Sequence, residues 1–297
     1  MNTKNGFTLI ELLIVIGIIA ILGGVMFGQF SGASESAKAA QCIMNLRGLA
    51  QAVQAYSVEN VDDDEDEPPY PYAGSFNYEK FGSGGREYLD GKRGWISNEA
   101  SRKKTQGTTH WVIGSPISAY ETDREKGLFA ITNGTLWASA GKNRELYTCP
   151  NHKESGAIYS YVMNSYFGYD YTGSQKGCIQ TPKRFGKLSV PADRLLLFAE
   201  LPFPGIDAIS GKDSSGTPSG GKESDCVLNY KDNELIGFNH KSSSKSKTAD
   251  VAHVAYADGH VAKLILRGEE GDVKDLTKWL CEGVEFVVNG GKYEEAD

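Results

Sequence analysis

The pattern of apolar and polar positions divides the chain into an oily rod, an amphipathic rod and a long mixed remainder. From Phe7 to Phe27 the only charged side chain is Glu11; Ile, Leu, Val and Gly fill most other positions. As a helix rising about 1.5 Å per residue, the segment from Phe7 to Gly28 measures roughly 33 Å and matches a hydrocarbon core of about 30 Å. Lys4 stands just before it, so the positive-inside rule puts the N-terminus in the cytoplasm and everything after the rod outside. A secretory signal peptide is the competing reading, with Gly32-Ala33-Ser34 as its cleavage site. Two features resist it. The apolar stretch exceeds the about 7–15 residues of a signal peptide. A carboxylate inside it costs about 2.5–3.5 kcal/mol on insertion scales and calls for a partner.

The second rod runs from Ser31 to Asn60. Ala39, Cys42, Ile43, Leu46, Leu49, Ala50, Val53 and Tyr56 recur at three- and four-residue steps, and Gln41, Asn45, Arg47, Gln51 and Gln54 occupy the other side. That spacing predicts an amphipathic helix with one face against a domain. The two rods join into one helix near 80 Å long, at about 1.5 Å per residue. The run Asp62-Asp63-Asp64-Glu65-Asp66-Glu67, backed by Pro68-Pro69, then ends it. Adjacent like charges repel and favour an extended, solvated segment.

The start of the chain carries a resemblance. Gly6-Phe7-Thr8-Leu9-Ile10-Glu11 followed by the apolar run resembles the signal of type IV prepilins and type II secretion pseudopilins. The resemblance implies cleavage after Gly6 by a prepilin peptidase, N-methylation of Phe7, and pairing of Glu11 with the terminal amine of a neighbouring subunit. The physics agrees. A buried ammonium and a buried carboxylate each remove the other's desolvation cost, and a misregistered subunit would leave a lone charge in lipid. The resemblance further implies filament growth with copies of the chain and other pilin-like subunits, driven by an inner-membrane platform and an ATPase. In place of the proline that many type IV pilins carry in this helix, the chain has Gly17, Gly23, Gly24, Gly28 and Gly32. These glycines either loosen the helix or allow close helix packing. Because major pseudopilins bind calcium, the acidic run is also a calcium candidate. Its carboxylates lack the alternate spacing of calcium loops, which favours a solvated loop.

Three later stretches resemble a large bacterial family of pilin-like proteins with longer C-terminal domains. They are Tyr147-Thr148-Cys149-Pro150-Asn151-His152 with Ser160-Tyr161-Val162-Met163-Asn164; Pro191 to Glu200, read as a turn and a buried strand; and Phe238-Asn239-His240 followed by Val254 to Val261. In that family a histidine precedes an Asp-Gly pair by about ten positions. Here His240 precedes Asp258-Gly259 by eighteen, the extra residues forming the polar loop Lys241–Asp250. Asp258-Gly259 between alternating runs predicts a two-residue hairpin turn joining strands Val251–Ala257 and His260–Leu266. The runner-up for this region is a zinc site drawn from His240, His253, His260 and Asp258, although a ribbon sets His253 and His260 at different heights. Residues 70–145 read as an insertion, and Gly205–Lys222 as an exposed loop.

The net charge of −7 gives no basic footprint for nucleic acid. Five cysteines leave at least one unpaired, and proximity makes Cys149–Cys178 the candidate disulfide in an exported domain. Cys149 and His152 have Cys-x-x-His spacing without a visible orienting group, so they read as a structural thiol and a surface histidine. The expectation is therefore an α+β pilin-like fold, a long N-terminal helix packed on an antiparallel sheet with inserted loops. Residues 1–6 form a leader, 7–30 a transmembrane and assembly helix, 31–61 its amphipathic continuation, and 62–297 the extracytoplasmic domain. The expected role is structural, without catalysis or a resident cofactor. A membrane-tethered binding module for glycans or surface polymers is the alternative.

Overall fold

The computed structural model describes residues 8–61, 68–71, 73, 79–82, 85–88, 124–132, 134–153, 156–167, 169–170, 178–179, 184–202, 226–228, 230, 235–242, 250–266, 272–283 and 293–296. Between residues 23 and 33 the description covers the helical backbone alone.

The two rods form one helix, α1 (Leu9–Glu59). Thr8 starts it with a capping box: its hydroxyl accepts from the Glu11 amide, and the Glu11 carboxylate accepts from the Thr8 amide at 2.8 Å. Two of the orphan donors of the first turn are thereby satisfied. The backbone stays helical through all five glycines. At the far end Asn60 caps the helix, its amide donating to the Ser57 carbonyl. The Leu9–Leu22 side chains are exposed, whereas Cys42, Leu46, Leu49, Ala50 and Val53 are buried. Ile43 and Tyr56 pack half-buried beside them. Among the described residues no helix is long and apolar enough to cross a membrane. At about 1.5 Å per residue, Leu9–Leu22 covers roughly 21 Å.

A short hairpin follows, β1 (Glu79–Gly82) with β2 (Gly85–Tyr88). Next come α2 (Arg124–Thr132), a 3-10 turn (Arg144–Tyr147) and the single-turn α3 (Pro150–Lys153). The short apolar run Gly127–Ile131, which by sequence could be strand or short helix, is helical, and the run Trp111–Gly114 lies outside the described residues. The central sheet uses β3 (Tyr161–Asn164), β6 (Leu196–Glu200), β7 (Val227–Leu228), β8 (Val251–Tyr256), β9 (Val261–Leu266) and β10 (Tyr293–Ala296). Its order is β10-β9-β8-β6-β3-β7, with β7 parallel to β3 and the other neighbours antiparallel. A separate small pair joins β4 (Tyr169–Asp170) to β5 (Cys178–Ile179). The last helix, α4 (Asp272–Glu282), contacts β6, while α1 contacts β8, β6 and β9.

Every residue of β3, β6 and β8 is buried. Such strands are covered on both faces and read as continuous apolar runs, which is how Leu195–Ala199 reads. The register shifts between Leu196 and Phe198, a bulge that places Leu197 as the extra residue on β6. Beyond the bulge, Val162 pairs with Ala199 and Ala199 with Val254.

The hairpin β8–β9 is where the sequence places it, but its turn is one residue longer. The Gly259 amide donates to the Tyr256 carbonyl, and the Tyr256 amide donates to the His260 carbonyl. Gly259 has a positive φ of 96°, while Asp258 does not. This is a three-residue loop with a glycine bulge, so glycine alone supplies the left-handed conformation.

Candidate functional site: an exposed apolar rod and a buried thiol–imidazole–carboxylate cluster

Two places carry chemistry, one at each end of α1. At the outer end, Glu11 lies one turn into an apolar rod with its carboxylate engaged locally. It accepts from the Thr8 hydroxyl at 2.7 Å as well as from the Thr8 amide. Gly6 and Phe7 lie outside the described residues, as does the acidic run 62–67 with its candidate calcium site.

At the inner end, the strand registers build a polar row under the helix. Tyr161 on β3 pairs with Glu200 on β6. One step beyond the pair Ala199–Val254, Glu200 stands across from His253 on β8. Cross-strand neighbours share a face, so Tyr161, Glu200 and His253 form one line. Cys42 of α1 closes over it: its sulfur lies 2.9 Å from Glu200 Oε1 and accepts from the Tyr161 hydroxyl at 3.2 Å. His253 Nδ1 is 3.0 Å from Glu200 Oε1.

His240 enters from the segment before β8. It is held by a backbone bridge to Val251, with its amide donating to the Val251 carbonyl at 3.1 Å. Its Nε2 lies 3.4 Å from Glu200 Oε2 and 3.3 Å from Cys149 Sγ. Its Nδ1 faces Asn151, at 3.2 Å, and the Glu35 carboxylate, at 3.7 Å. Asn239 Nδ2 donates to Glu200 Oε2 at 2.9 Å. Cys42, Cys149, Glu200, His240 and His152 are 0% exposed and His253 1%.

The electrostatics follow from this packing. Burial pushes the Glu200 carboxyl up, but the imidazoles of His240 and His253 outweigh it and hold the carboxyl well below its usual range. Burial works against a charged His240; Glu200, helped by Cys149, reverses that and raises it to about 10. Burial lowers His152 to about 4, so that ring is neutral. Burial and the neighbouring Cys149 raise the Cys42 thiol. A carboxylate this deep is stabilised only by such partners.

Several sequence expectations change here. Cys149 is a free thiol whose sulfur faces His240, so the Cys149–Cys178 bridge is not formed. The register of β4 and β5 instead puts Cys178 opposite Asp170. His152 is buried rather than on the surface. The metal candidates Asp258, His253 and His260 do not converge. Asp258 and His260 pair with each other at the exposed hairpin tip, at 2.6 Å, whereas His253 points into the cluster. Asn45, assigned to the solvent face of α1, is buried and donates to the carbonyls of Glu145 and Thr148.

Cys42 and Glu200 were not recognised as site residues. Cys42 fits the apolar stripe of its helix like any core residue. Glu200 carried a signal, a carboxylate ending the run Leu195–Ala199 that the fold buries.

Comparison with known proteins bears on the outer end. Residues 1–27 match the family model for the prokaryotic N-terminal methylation motif. The chain is also similar to a type IV major pilin protein, PilE1, of Neisseria gonorrhoeae. The two are 28% identical over 138 residues, covering 41% of this chain and 84% of the relative. These matches make the chain similar to type IV pilins, most plainly at its N-terminal methylation motif. A second PilE1 sequence from the same organism is 28% identical over 162 residues, covering 50% of this chain and 72% of the relative. No solved structure matches. Similarity to a pilin fits the long helix on a sheet and the apolar rod. It does not by itself account for the buried cluster.

Proposed function

We propose that the protein is a structural subunit of a type IV pilus or type II secretion pseudopilus. It is processed after Gly6 by a prepilin peptidase and polymerised through α1. The observation that carries this reading is the match of residues 1–27 to the methylation motif, on a helix whose Leu9–Leu22 side chains are uncovered by the domain. Apolar surface left bare on this scale calls for lipid or another chain. In the membrane the rod is the anchor, with the N-terminus cytoplasmic and the domain outside. In the filament, copies of the same rod and other pilin-like subunits cover it, delivered by the platform and its ATPase. The work is mechanical rather than catalytic.

Glu11 is the register device. In the monomer its carboxylate is occupied by Thr8. Cleavage frees an ammonium at Phe7, and a neighbour's ammonium can then compete for that carboxylate. A charge–charge contact away from water outweighs a neutral hydroxyl contact. Mass spectrometry of the mature protein is expected to find it beginning at N-methylated Phe7. Glu11→Leu is expected to enter the membrane normally and to give no filaments in sheared surface material. A mature chain beginning near Ser34, or normal filaments from Glu11→Leu, would refute the reading.

A further inference from the structure

We propose that Cys42, Glu200, His240 and His253 form a closed, structural zinc site that fastens α1 to the central sheet. The donor atoms of these four side chains all lie within 4.8 Å of one another, and all four residues are buried. Zinc in a tetrahedral structural site takes ligands at about 2.0–2.3 Å, which sets its ligand atoms roughly 3.3–3.8 Å apart. The pairs around Glu200 stand at 2.9 Å to Cys42, 3.0 Å to His253 and 3.4 Å to His240. Small outward shifts of side-chain tips create the cavity.

Donor chemistry and charge select the ion. Two imidazole nitrogens, a thiolate and a carboxylate suit a borderline-soft divalent ion, and oxygen-seeking calcium and magnesium take other donors. One thiolate and one carboxylate neutralise a divalent cation, so the loaded site buries no net charge. Without the ion the same volume holds an ionic network, which is often no more stable than apolar packing. A second thiolate would unbalance the site. Cys149, whose sulfur lies 3.3 Å from His240 Nε2, stands beside these four donors and is not one of them.

The surroundings orient the ligands as metal sites require. His240 turns Nε2 inward to the cluster and Nδ1 outward toward the Glu35 carboxylate and Asn151, the arrangement that fixes a ligating imidazole. Glu200 keeps Asn239 on Oε2 and offers Oε1 to the site. Tyr161 donates to the Cys42 sulfur. All four positions are filled by protein, so the site has no open place for substrate and its role is structural.

The test uses the full-length chain in detergent, purified under reducing conditions and stripped with a chelator. Zinc and cobalt(II) are the probes. The wild-type protein is expected to take up one zinc per chain by elemental analysis, with a raised unfolding midpoint. Cobalt is expected to give tetrahedral bands with a thiolate-to-cobalt charge-transfer band. Cys42→Ser should lose that band and Cys149→Ser should keep it. Because Cys42→Ser could fail to fold, the wild-type stoichiometry decides independently. Substoichiometric zinc with an unmoved midpoint overturns the proposal. So does a Cys42–Cys149 disulfide in protein taken directly from the cell surface, or loss of the charge-transfer band in Cys149→Ser alone.

Discussion

Asn45 offers the sharpest test of how the domain grips its helix. Its side chain is 1% exposed. Its Nδ2 donates to the Glu145 carbonyl at 3.0 Å and the Thr148 carbonyl at 3.1 Å, bolting the 3-10 turn onto α1. Asn45→Leu keeps the branched outline of the side chain while removing both donated bonds, and Leu is the better helix former, so a lost helix is not the cause of any destabilisation. A buried acceptor left without its donor costs about 1–3 kcal/mol. Glu145 retains a long bond from the Thr148 amide, at 3.5 Å, so it falls at the low end. The expected total is about 2–4 kcal/mol by that accounting. Urea unfolding in detergent, followed by tryptophan fluorescence, reads it out; Trp137, one of the four tryptophans, lies 6.3 Å from Tyr147 of this turn. The midpoint should fall with an unchanged slope, the signature of lost stability rather than altered compactness. Gln51→Ala, at an exposed position of the same helix, should stay within about 0.5 kcal/mol of wild type. Gln41 cannot serve as the control, since it donates to Asn45 Oδ1 at 2.8 Å. An Asn45→Leu protein as stable as Gln51→Ala would refute the claim that this side chain holds the turn.

Two further substitutions probe the sheet. Gly237→Ala would place a Cβ 2.3 Å from the Leu201 carbonyl oxygen and 2.4 Å from its carbon. Backbone cannot yield as a side-chain tip can, so a loss of about 3 kcal/mol or more is expected, read as a lower thermal midpoint. Tyr70→Phe removes the hydroxyl bond to the Ala257 carbonyl at 3.0 Å and leaves the ring stacked on Phe185. It should cost about 1–2 kcal/mol in the same assay.

What could be read from the sequence was whatever depends on local period. The helix Leu9–Glu59, its Cys42–Val53 stripe, the buried strand ending at Glu200 and the hairpin β8–β9 all announce themselves by spacing. What escaped depends on register and neighbours. Asn45 reads as solvent-facing because the stripe is narrow; the 3-10 turn widens the buried face and brings carbonyls that only an amide can satisfy. The row Tyr161–Glu200–His253 exists because three strands align after a bulge at Leu197, and no period encodes a bulge. Cys149 and Cys178 are close in sequence, yet the fold turns Cys149 toward His240, a residue 91 positions away. Of the four candidates His240, His253, His260 and Asp258, the fold brings only His240 and His253 together, because β8 turns His253 inward while Asp258 and His260 stay at the exposed tip.

The two ends of α1 divide the labour so that their failures are distinguishable. Contacts that fold the domain begin at Glu35, through Asn151, and are dense from Cys42 to Ser57; the described contacts of the outer end are confined to Thr8 and Glu11. A change at Glu11 therefore has no path to domain stability, and a change at Asn45 or Cys42 leaves the assembly rod chemically intact. In the proposed filament the rods would bear the load, so pull on a domain would pass through the Cys42–Ser57 grip. Van der Waals contacts and the side-chain hydrogen bonds of Asn45, Gln54 and Ser57 yield gradually. A coordinated ion joining Cys42 to β6 and β8 would instead give that grip a single strong joint at the centre of the sheet. Stripping the ion should therefore weaken the hold of the domain on its helix while leaving the proposed polymerisation through Glu11 untouched, an asymmetry that a general loss of folding would not reproduce.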